Sequence, residues 1–176
     1  QRLSYIKELG ATTIWTTPML EDNEPTYSYH GYAQSDLYKI DPRYGTNSWY
    51  KEMVLEAHRQ GLKVIKDEVT NHWSSKHWMI QDLPTATWIH QFDQFTRSNY
   101  RLSTQFDPYA AQSDHAGSAN GWFDVTMPDM NQQNPLLLTY LIQNTIWWLE
   151  YAQLDGLRVD TYPYNDKEAI ARWTKA

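Results

Sequence analysis

The sequence predicts an α/β protein built on a parallel sheet, and three observations support this class. Helical and strand-like segments alternate along the chain, as they do when parallel strands are joined by right-handed crossovers. Two strand-like segments, 64–69 and 156–160, are apolar and end in charged side chains. Such strand ends form the active site of a parallel α/β barrel. A closed barrel needs eight strands and about 250 residues, so 176 residues with three such strands predict only part of one.

The first half of the chain is predicted to form helix, strand, helix and strand. The predicted ranges are 3–9, 11–17, 50–60 and 62–66. Gly10 and Gly61 follow the two helices, where glycine commonly caps a carboxyl end, and Pro18 ends the first strand. Ser48 is predicted to be the N-cap of the second helix. The polar stretch 21–47 between these elements contains no predicted element.

The second half begins with a long segment, 73–135, that shows neither helical nor strand periodicity. It contains four prolines and a stretch of small and polar residues at 113–121. Segments of this length within a compact domain are commonly functional or form a small subdomain. The elements predicted after it are a helix over 136–152, a strand over 156–160 and a helix over 167–175 with Asp166 as N-cap. We therefore predict partial barrel over 1–72, an irregular insertion over 73–135, and partial barrel over 136–176.

The amino-acid composition argues against some classes of binding partner and favours others. The net charge of −6 argues against nucleic acid, because phosphate binding needs clustered Lys and Arg. No apolar run approaches the roughly 20 residues that span a bilayer. The absence of cysteine excludes disulfides and thiolate metal sites. The chain has 9 Trp and 13 Tyr, whose flat faces suit sugar rings, although core packing is the alternative explanation for many of them.

Four motifs in the chain resemble those of the α-amylase superfamily, glycoside hydrolase family 13. They lie at 29–32 with 38–46, at 67–72, at 127–131 and at 156–160. The resemblance implies strands two to four of a TIM barrel, with the irregular domain B inserted after strand three. The Met-Pro pair at 127–128 and the segment 160–164 are similar to the neopullulanase and cyclomaltodextrinase branch. The segment 160–164 is also similar to neopullulanases of starch-utilising gut bacteria.

The resemblance assigns the catalytic roles. It implies that Asp160 is the nucleophile of a retaining glycosidase, which needs a second carboxylate about 5–5.5 Å away as general acid. Arg158 lies two residues earlier and thus on the same side of its strand. There it would favour the charged carboxylate and hold it by hydrogen bonds. A structural ion pair between Arg158 and Asp67 is the compatible alternative, and Asp67 is expected to organise the site from behind.

The resemblance also implies how substrate is held. His72 and His30 are expected to contact sugar hydroxyls, and Tyr32 is expected to lie under a sugar ring. Without the motifs, a lone histidine or a loop tyrosine would more often be structural. Pro163 and Tyr164 stand where many amylases have Lys-His, which removes one sugar donor and one carbonyl ligand for calcium.

No cofactor is expected to be required, although the resemblance allows calcium. Many members of the family bind this ion with the asparagine that matches Asn71 and with acids of domain B, of which Asp129 is the candidate here. Calcium takes about six to eight oxygen ligands. The neopullulanase branch often places the ion elsewhere.

The expected function is retaining hydrolysis of α-1,4 linkages in starch-derived substrates such as pullulan, cyclodextrins and maltooligosaccharides. The family's general acid is a glutamate after the fifth strand, whereas Glu150 and Glu168 lie on predicted helices. The chain is therefore expected to be an inactive fragment, to form oligomers through exposed sheet edges, and to act in the periplasm if it follows its resemblance. The alternative is a non-catalytic amylase-like domain that binds carbohydrate or a partner.

Overall fold

The computed structural model describes residues 2–25 and 28–176, in which helices pack against one face of a three-stranded parallel sheet. Gln1, Thr26 and Tyr27 lie outside the described residues. The strands are β1 (Thr13–Trp15), β2 (Leu20–Glu21), β3 (Asp36–Ile40), β4 (Lys63–Val69) and β5 (Gly156–Asp160). The helices are α1 (Leu3–Glu8), α2 (Asn47–Arg59), α3 (Trp78–Gln81), α4 (Gln112–Ala119), α5 (Pro135–Ala152) and α6 (Lys167–Lys175). Short 3-10 helices lie at Ala86–Trp88, Leu102–Gln105 and Tyr162–Tyr164.

Strand β4 is the centre of the parallel sheet, with order β1-β4-β5. Its register with β5 pairs Ile65 with Gly156 and Val69 with Asp160. The carboxyl ends of both strands therefore meet at one edge of the sheet, as predicted. Strands β2 and β3 form a separate antiparallel pair within the long connection between β1 and α2.

The hydrophobic core lies between β4 and helices α2 and α5. Val64 of β4, Val54 of α2 and Trp148 of α5 are all fully buried. The indole N–H of Trp148 donates to the carbonyl of Leu37 at 2.7 Å, so this large side chain also satisfies its polar atom. Burial of each such side chain stabilises the fold by about 1.5–3 kcal/mol.

A second layer of buried polar groups joins β4 to α5 and α6. Lys66 is buried and donates to Glu68 at 2.5 Å. The other carboxylate oxygen of Glu68 accepts from the hydroxyl of Thr145 at 3.1 Å, and Trp173 donates to that hydroxyl at 3.1 Å. Lys66 and Glu68 thus face the helices, while Asp67 between them faces the opposite side, as strand alternation requires.

The predicted ends of the last strand and the last helix are confirmed. Strand β5 and helix α6 have the predicted bounds, and Asp166 accepts from the backbone N–H of Ala169 at 2.8 Å as N-cap. Helix α5 begins one residue earlier than predicted, at Pro135, because Asn134 caps it by accepting from two backbone N–H groups. Proline suits this first position because its missing N–H would have no helical partner.

Four local predictions are wrong. Thr46, not Ser48, is the N-cap of α2, since its hydroxyl accepts from the Trp49 N–H. The polar stretch 21–47 contains strand β3, and its partner β2 begins just before the stretch, because Leu20, Leu37 and Ile40 are buried. The small and polar residues at 113–121 largely form α4. The first strand is also shorter than predicted.

Two wider expectations stay predictions. The division of the chain at residues 72 and 135 is one. Oligomer formation is the other; within the described residues β1 and β5 each pair with β4 alone, so each has an unpaired side. No described helix is long and apolar enough to cross a membrane.

Candidate active site

The ends of β4 and β5 bring two carboxylates around one guanidinium group. Arg158 Nη1 lies 2.6 Å from Asp160 Oδ1 and 3.1 Å from each carboxylate oxygen of Asp67. The pairing of Asp67 with Arg158 in the sheet register places the two side chains at the same level. Both predicted uses of the arginine, the contact with Asp160 and the ion pair with Asp67, therefore occur together.

The backbone after β5 turns sharply beside Asp160. Thr161 has φ +49°, a left-handed conformation that is uncommon for a residue with a branched side chain. The 3-10 helix Tyr162–Tyr164 follows at once. Asp160 is thus the last residue of its strand, at the edge where the sheet opens. Uncommon backbone conformations of this kind are frequent beside active sites.

Trp15 and Tyr32 complete the surroundings of the acid pair. The indole N–H of Trp15, at the end of β1, donates to Asp67 Oδ2 at 3.0 Å. Tyr32 Oη lies 3.4 Å from both Asp67 Oδ2 and Arg158 Nη1. The guanidinium lies over both rings, 5.1 Å from the Trp15 centroid and 6.0 Å from that of Tyr32, and such cation–π contacts favour its charge. Sequence reasoning missed Trp15, because the predicted strand ran on to residue 17 and placed Trp15 inside it, whereas β1 ends at Trp15.

Burial and charge act in opposite directions in this cluster. Burial raises the pKa of Asp67, whereas Arg158 and the Trp15 N–H lower it. For Arg158, burial disfavours the cation, but the hydrogen bond with Asp160 and the charge of Asp67 outweigh this effect and raise its pKa. Burial and the two carboxylates also raise the pKa of Tyr32, so its hydroxyl stays protonated at neutral pH. The effect of burial prevails for Asp67, whose pKa is raised, and Asp160 is the carboxylate of the cluster that stays partly exposed.

His72 is a buried, neutral imidazole beside this cluster. Burial and the neighbouring His30 lower the pKa of His72 to about 4, against the opposite effect of the Tyr32 backbone. Its Nε2 atom is buried and has no hydrogen-bond partner within the described residues. A buried polar atom without a partner is rare in a folded protein, so Nε2 is a candidate contact for a ligand hydroxyl.

His30 is held by its own loop. The imidazole Nδ1 accepts from the backbone N–H of Tyr32 at 3.0 Å, and the two rings lie 5.6 Å apart. The loop therefore presents His30 and Tyr32 together, on the side where His72 lies. The roles of these three side chains toward sugar stay predictions.

An aromatic group that sequence reasoning did not assign lies against His72. Phe123 makes an edge contact with the His72 ring at 5.0 Å and with the Tyr164 ring at 4.9 Å. Tyr100 stacks on Phe123 at 5.6 Å and is about half exposed. Its backbone has φ +56°. Tyr100, Phe123 and Tyr164 thus form one aromatic wall. Its member Tyr164 stands at the position where many amylases have histidine.

Asn71 and Asp129, the candidate calcium ligands, contact each other directly. The amide nitrogen of Asn71 donates to Asp129 Oδ1 at 3.0 Å, and Asp129 Oδ2 lies 2.7 Å from Nδ1 of His90. Burial raises the pKa of Asp129 to about 7, against the lowering effect of His90 and Asn71. Within residues 2–25 and 28–176, no group of three or more His, Cys, Asp or Glu side chains is arranged to hold a metal ion. Calcium binding stays a prediction of the resemblance, and this donor set does not fit it.

The family of the chain follows from a model of the alpha-amylase catalytic domain, which matches residues 1–173. The chain belongs to the α-amylase family. It is 30% identical to Alpha-amylase 3 of Dictyoglomus thermophilum over 180 residues, 99% of this chain and 34% of that protein. It is also 30% identical to Neopullulanase 2 of Thermoactinomyces vulgaris over 164 residues, 90% of this chain and 25% of that protein. The chain thus spans a quarter to a third of the length of these two relatives.

Solved structures of the family confirm the predicted fold. The crystal structure of the α-amylase from Geobacillus thermoleovorans, complexed with acarbose, superposes with a TM-score of 0.80 at 35% identity and covers 99% of this chain and 35% of that one. The parallel sheet β1-β4-β5 with its helices is therefore part of an amylase-type TIM barrel. The resemblance to the α-amylase superfamily, inferred from four motifs, is confirmed.

Proposed function

We propose that this chain carries the nucleophile of a retaining α-glucan hydrolase that acts on α-1,4 linkages, and that it forms part of a longer enzyme. The observation that supports the proposal most directly is the contact between Arg158 and Asp160 at the open end of β5. The guanidinium is itself fixed by Asp67, so the orientation of Asp160 is set before substrate binds. Preorganisation of this kind lowers the barrier of a chemical step.

The proposed reaction proceeds in two steps. A carboxylate oxygen of Asp160 attacks the anomeric carbon and forms a glycosyl ester, while a general acid protonates the departing glycosidic oxygen. Water then attacks the same carbon, gives its proton to the conjugate base of that acid, and releases Asp160 and the sugar. Arg158 holds the carboxylate of Asp160 by the contact at 2.6 Å, both before the attack and after the release of the sugar.

The aromatic and imidazole groups around Asp160 suit glucose rings. Tyr32 offers a ring face beside the carboxylate, and His72 offers a neutral nitrogen without a protein partner. Tyr100 and Tyr164 border this region from the irregular segment and from the turn after β5. Sugar rings stack on such faces while their hydroxyls form hydrogen bonds. Pullulan, cyclodextrins and maltooligosaccharides are the proposed substrates.

We further propose that the 176-residue chain alone does not turn over. In the described residues the second carboxylate beside Asp160 is Asp67, which is bonded to Arg158 and Trp15 and is thus not free to protonate a leaving group. Loss of one member of a catalytic set usually removes most of the activity. The general acid is expected from a strand of the longer enzyme.

The proposal is tested by comparing the chain with the full-length protein on maltoheptaose. We expect the full-length protein to release reducing sugar that is first formed as the α-anomer, because two inversions at the anomeric carbon retain its configuration. Proton NMR during the reaction identifies this anomer. We expect no release by the chain alone. Release of the β-anomer would refute the retaining mechanism. Glucan binding without hydrolysis by the full-length protein would favour the non-catalytic alternative.

Replacing Trp15 with phenylalanine tests how Asp67 is held. The variant keeps a ring under the guanidinium but removes the N–H that donates to Asp67 Oδ2, so this oxygen keeps Arg158 and Tyr32 and loses one hydrogen bond to a buried charge. We expect a loss of about 1–3 kcal/mol in the free energy of unfolding, measured with urea, and a lower kcat with little change in KM. Trp49→Phe, at an exposed position on α2, is the control and should change neither. Unchanged stability in Trp15→Phe would contradict the role of this N–H.

A further inference from the structure

Asp129 joins two segments that are far apart in the sequence. The backbone N–H of Met130 donates to the carbonyl of Asn71 at 2.9 Å, and the N–H of His90 donates to the carbonyl of Asp129 at 3.0 Å. His72 and Asp129 form an isolated antiparallel bridge. The residue therefore lies between the segment that leaves β4 and the segment around His90. Its side chain is 2% exposed.

Both oxygens of this buried carboxylate accept from nitrogen. The amide nitrogen of Asn71 donates to Oδ1 at 3.0 Å, and Nδ1 of His90 lies 2.7 Å from Oδ2. The backbone of His90 is fixed in turn, because Trp122 Nε1 donates to its carbonyl at 2.7 Å. Of the side-chain oxygens of Asn71 and Asp129, Asn71 Oδ1 alone has no partner within the described residues.

We propose that the imidazole of His90 occupies the place of a metal ion, so that a side-chain cross-link of Asn71, Asp129 and His90 fastens the irregular segment to β4 without calcium. Calcium takes about six to eight oxygens, and one unpaired amide oxygen beside a carboxylate already bonded to two nitrogens does not supply them. The imidazole performs the structural task that an ion would perform there. It gives a buried carboxylate a polar partner and joins two segments of the chain.

The cross-link also bears on His72. Because His72 is bridged to Asp129, His90 helps to set where the segment after β4 runs. His90 thus also holds the segment that carries His72. The inference concerns how two segments are held and does not depend on the proposed hydrolysis, so its failure and the failure of the proposed function give different results.

Melting temperatures of the full-length protein test the inference, with excess EDTA and with millimolar calcium. His90→Ala should lower the melting temperature by about 2–4 °C. His90→Asn should restore most of the loss, since its amide nitrogen can take the place of Nδ1. His58→Ala is the matched control, because His58 also bonds a carboxylate, at 2.8 Å on Asp155, but both side chains are about 30% exposed. It should cost clearly less.

Calcium provides the decisive comparison. Any calcium response of the wild-type protein should be the same in Asp129→Asn, because an ion bound elsewhere would not depend on Asp129. In His90→Ala, which frees one oxygen, calcium should restore no more stability than it adds to wild type. A wild-type response that disappears in Asp129→Asn would overturn the inference. An unchanged melting temperature in His90→Ala would overturn it as well. If His90→Ala does not fold, His90→Asn and Asp129→Asn still give the calcium comparison.

Discussion

Asp160→Asn is expected to lower the kcat of the full-length protein on maltoheptaose by about 10⁴-fold or more. The amide has the size of the carboxylate but cannot form the glycosyl ester, so the first step of the proposed reaction is lost. Arg158 can still donate to the amide oxygen, and the fold should be retained. Initial rates of reducing-sugar release measure the effect, and substrate affinity is followed separately by isothermal titration calorimetry.

The control for this variant is an acid-to-amide change at an exposed position. Asp114 of α4 pairs with Arg101 at 2.8 Å on the surface, where such pairs contribute little. Asp114→Asn should leave kcat within about twofold of wild type, because an exposed pair contributes about 0–1 kcal/mol. A kcat for Asp160→Asn within tenfold of wild type would show that Asp160 is not the nucleophile. Loss of glucan binding together with kcat would point to a role of Asp160 in binding instead.

Arg158→Met is the second change with a large expected effect, on both activity and stability. It removes the cation that contacts Asp67 and Asp160 and leaves Asp67, whose side chain is fully buried, without its counter-charge. Breaking such a pair is more costly than replacing both partners. We expect kcat to fall by about 10²- to 10³-fold, the size seen when one preorganised electrostatic group is removed, and the melting temperature to fall.

A double variant separates the two effects of Arg158. Arg158→Met with Asp67→Asn removes the buried charge together with its partner, so the melting temperature should recover while kcat should not. Arg101→Met, which removes an exposed cation, is the control for loss of positive charge. Equal melting temperatures for Arg158→Met and wild type would contradict the claim that Asp67 needs this cation. Recovery of kcat in the double variant would show that Arg158 acts through Asp67 alone.

The sequence was a good guide where local signals and tertiary packing agree. Strand β5 is bounded by Gly156 and by the charged Asp160, and α6 begins after an acidic cap and has its apolar residues on one side. Asp67, Arg158 and Asp160 could be placed together because the ends of neighbouring parallel strands meet by geometry. Their mutual distances could not, because these depend on the register of β4 and β5, which is set by long-range pairing.

The remaining parts of the site depend on contacts between distant segments. Trp15 reaches Asp67 across 52 positions, and His90 reaches Asp129 across 39. Neither residue belongs to a motif or to a local periodicity. The N-cap of α2 was predicted wrongly for a local reason, since Thr46, Asn47 and Ser48 are all residue types that favour helix starts. The hydrogen bonds of the Asn47 side chain to the backbone of β3 decide which of the three residues is the N-cap.

The buried pair of Lys66 and Glu68 has a consequence for how reliably the site assembles. A slip of β4 by one residue would turn these two charges toward Asp160 and press Asp67 against α5, away from Arg158. Asp67 would then face Thr145 and Trp173 without a cation beside it, because Lys66 would have turned to the other side. Each misaligned arrangement therefore leaves charges buried without partners on two sides of the strand at once. The chemistry of Asp67 is protected by its neighbours, because the sheet cannot form in the wrong alignment without a large loss of stability.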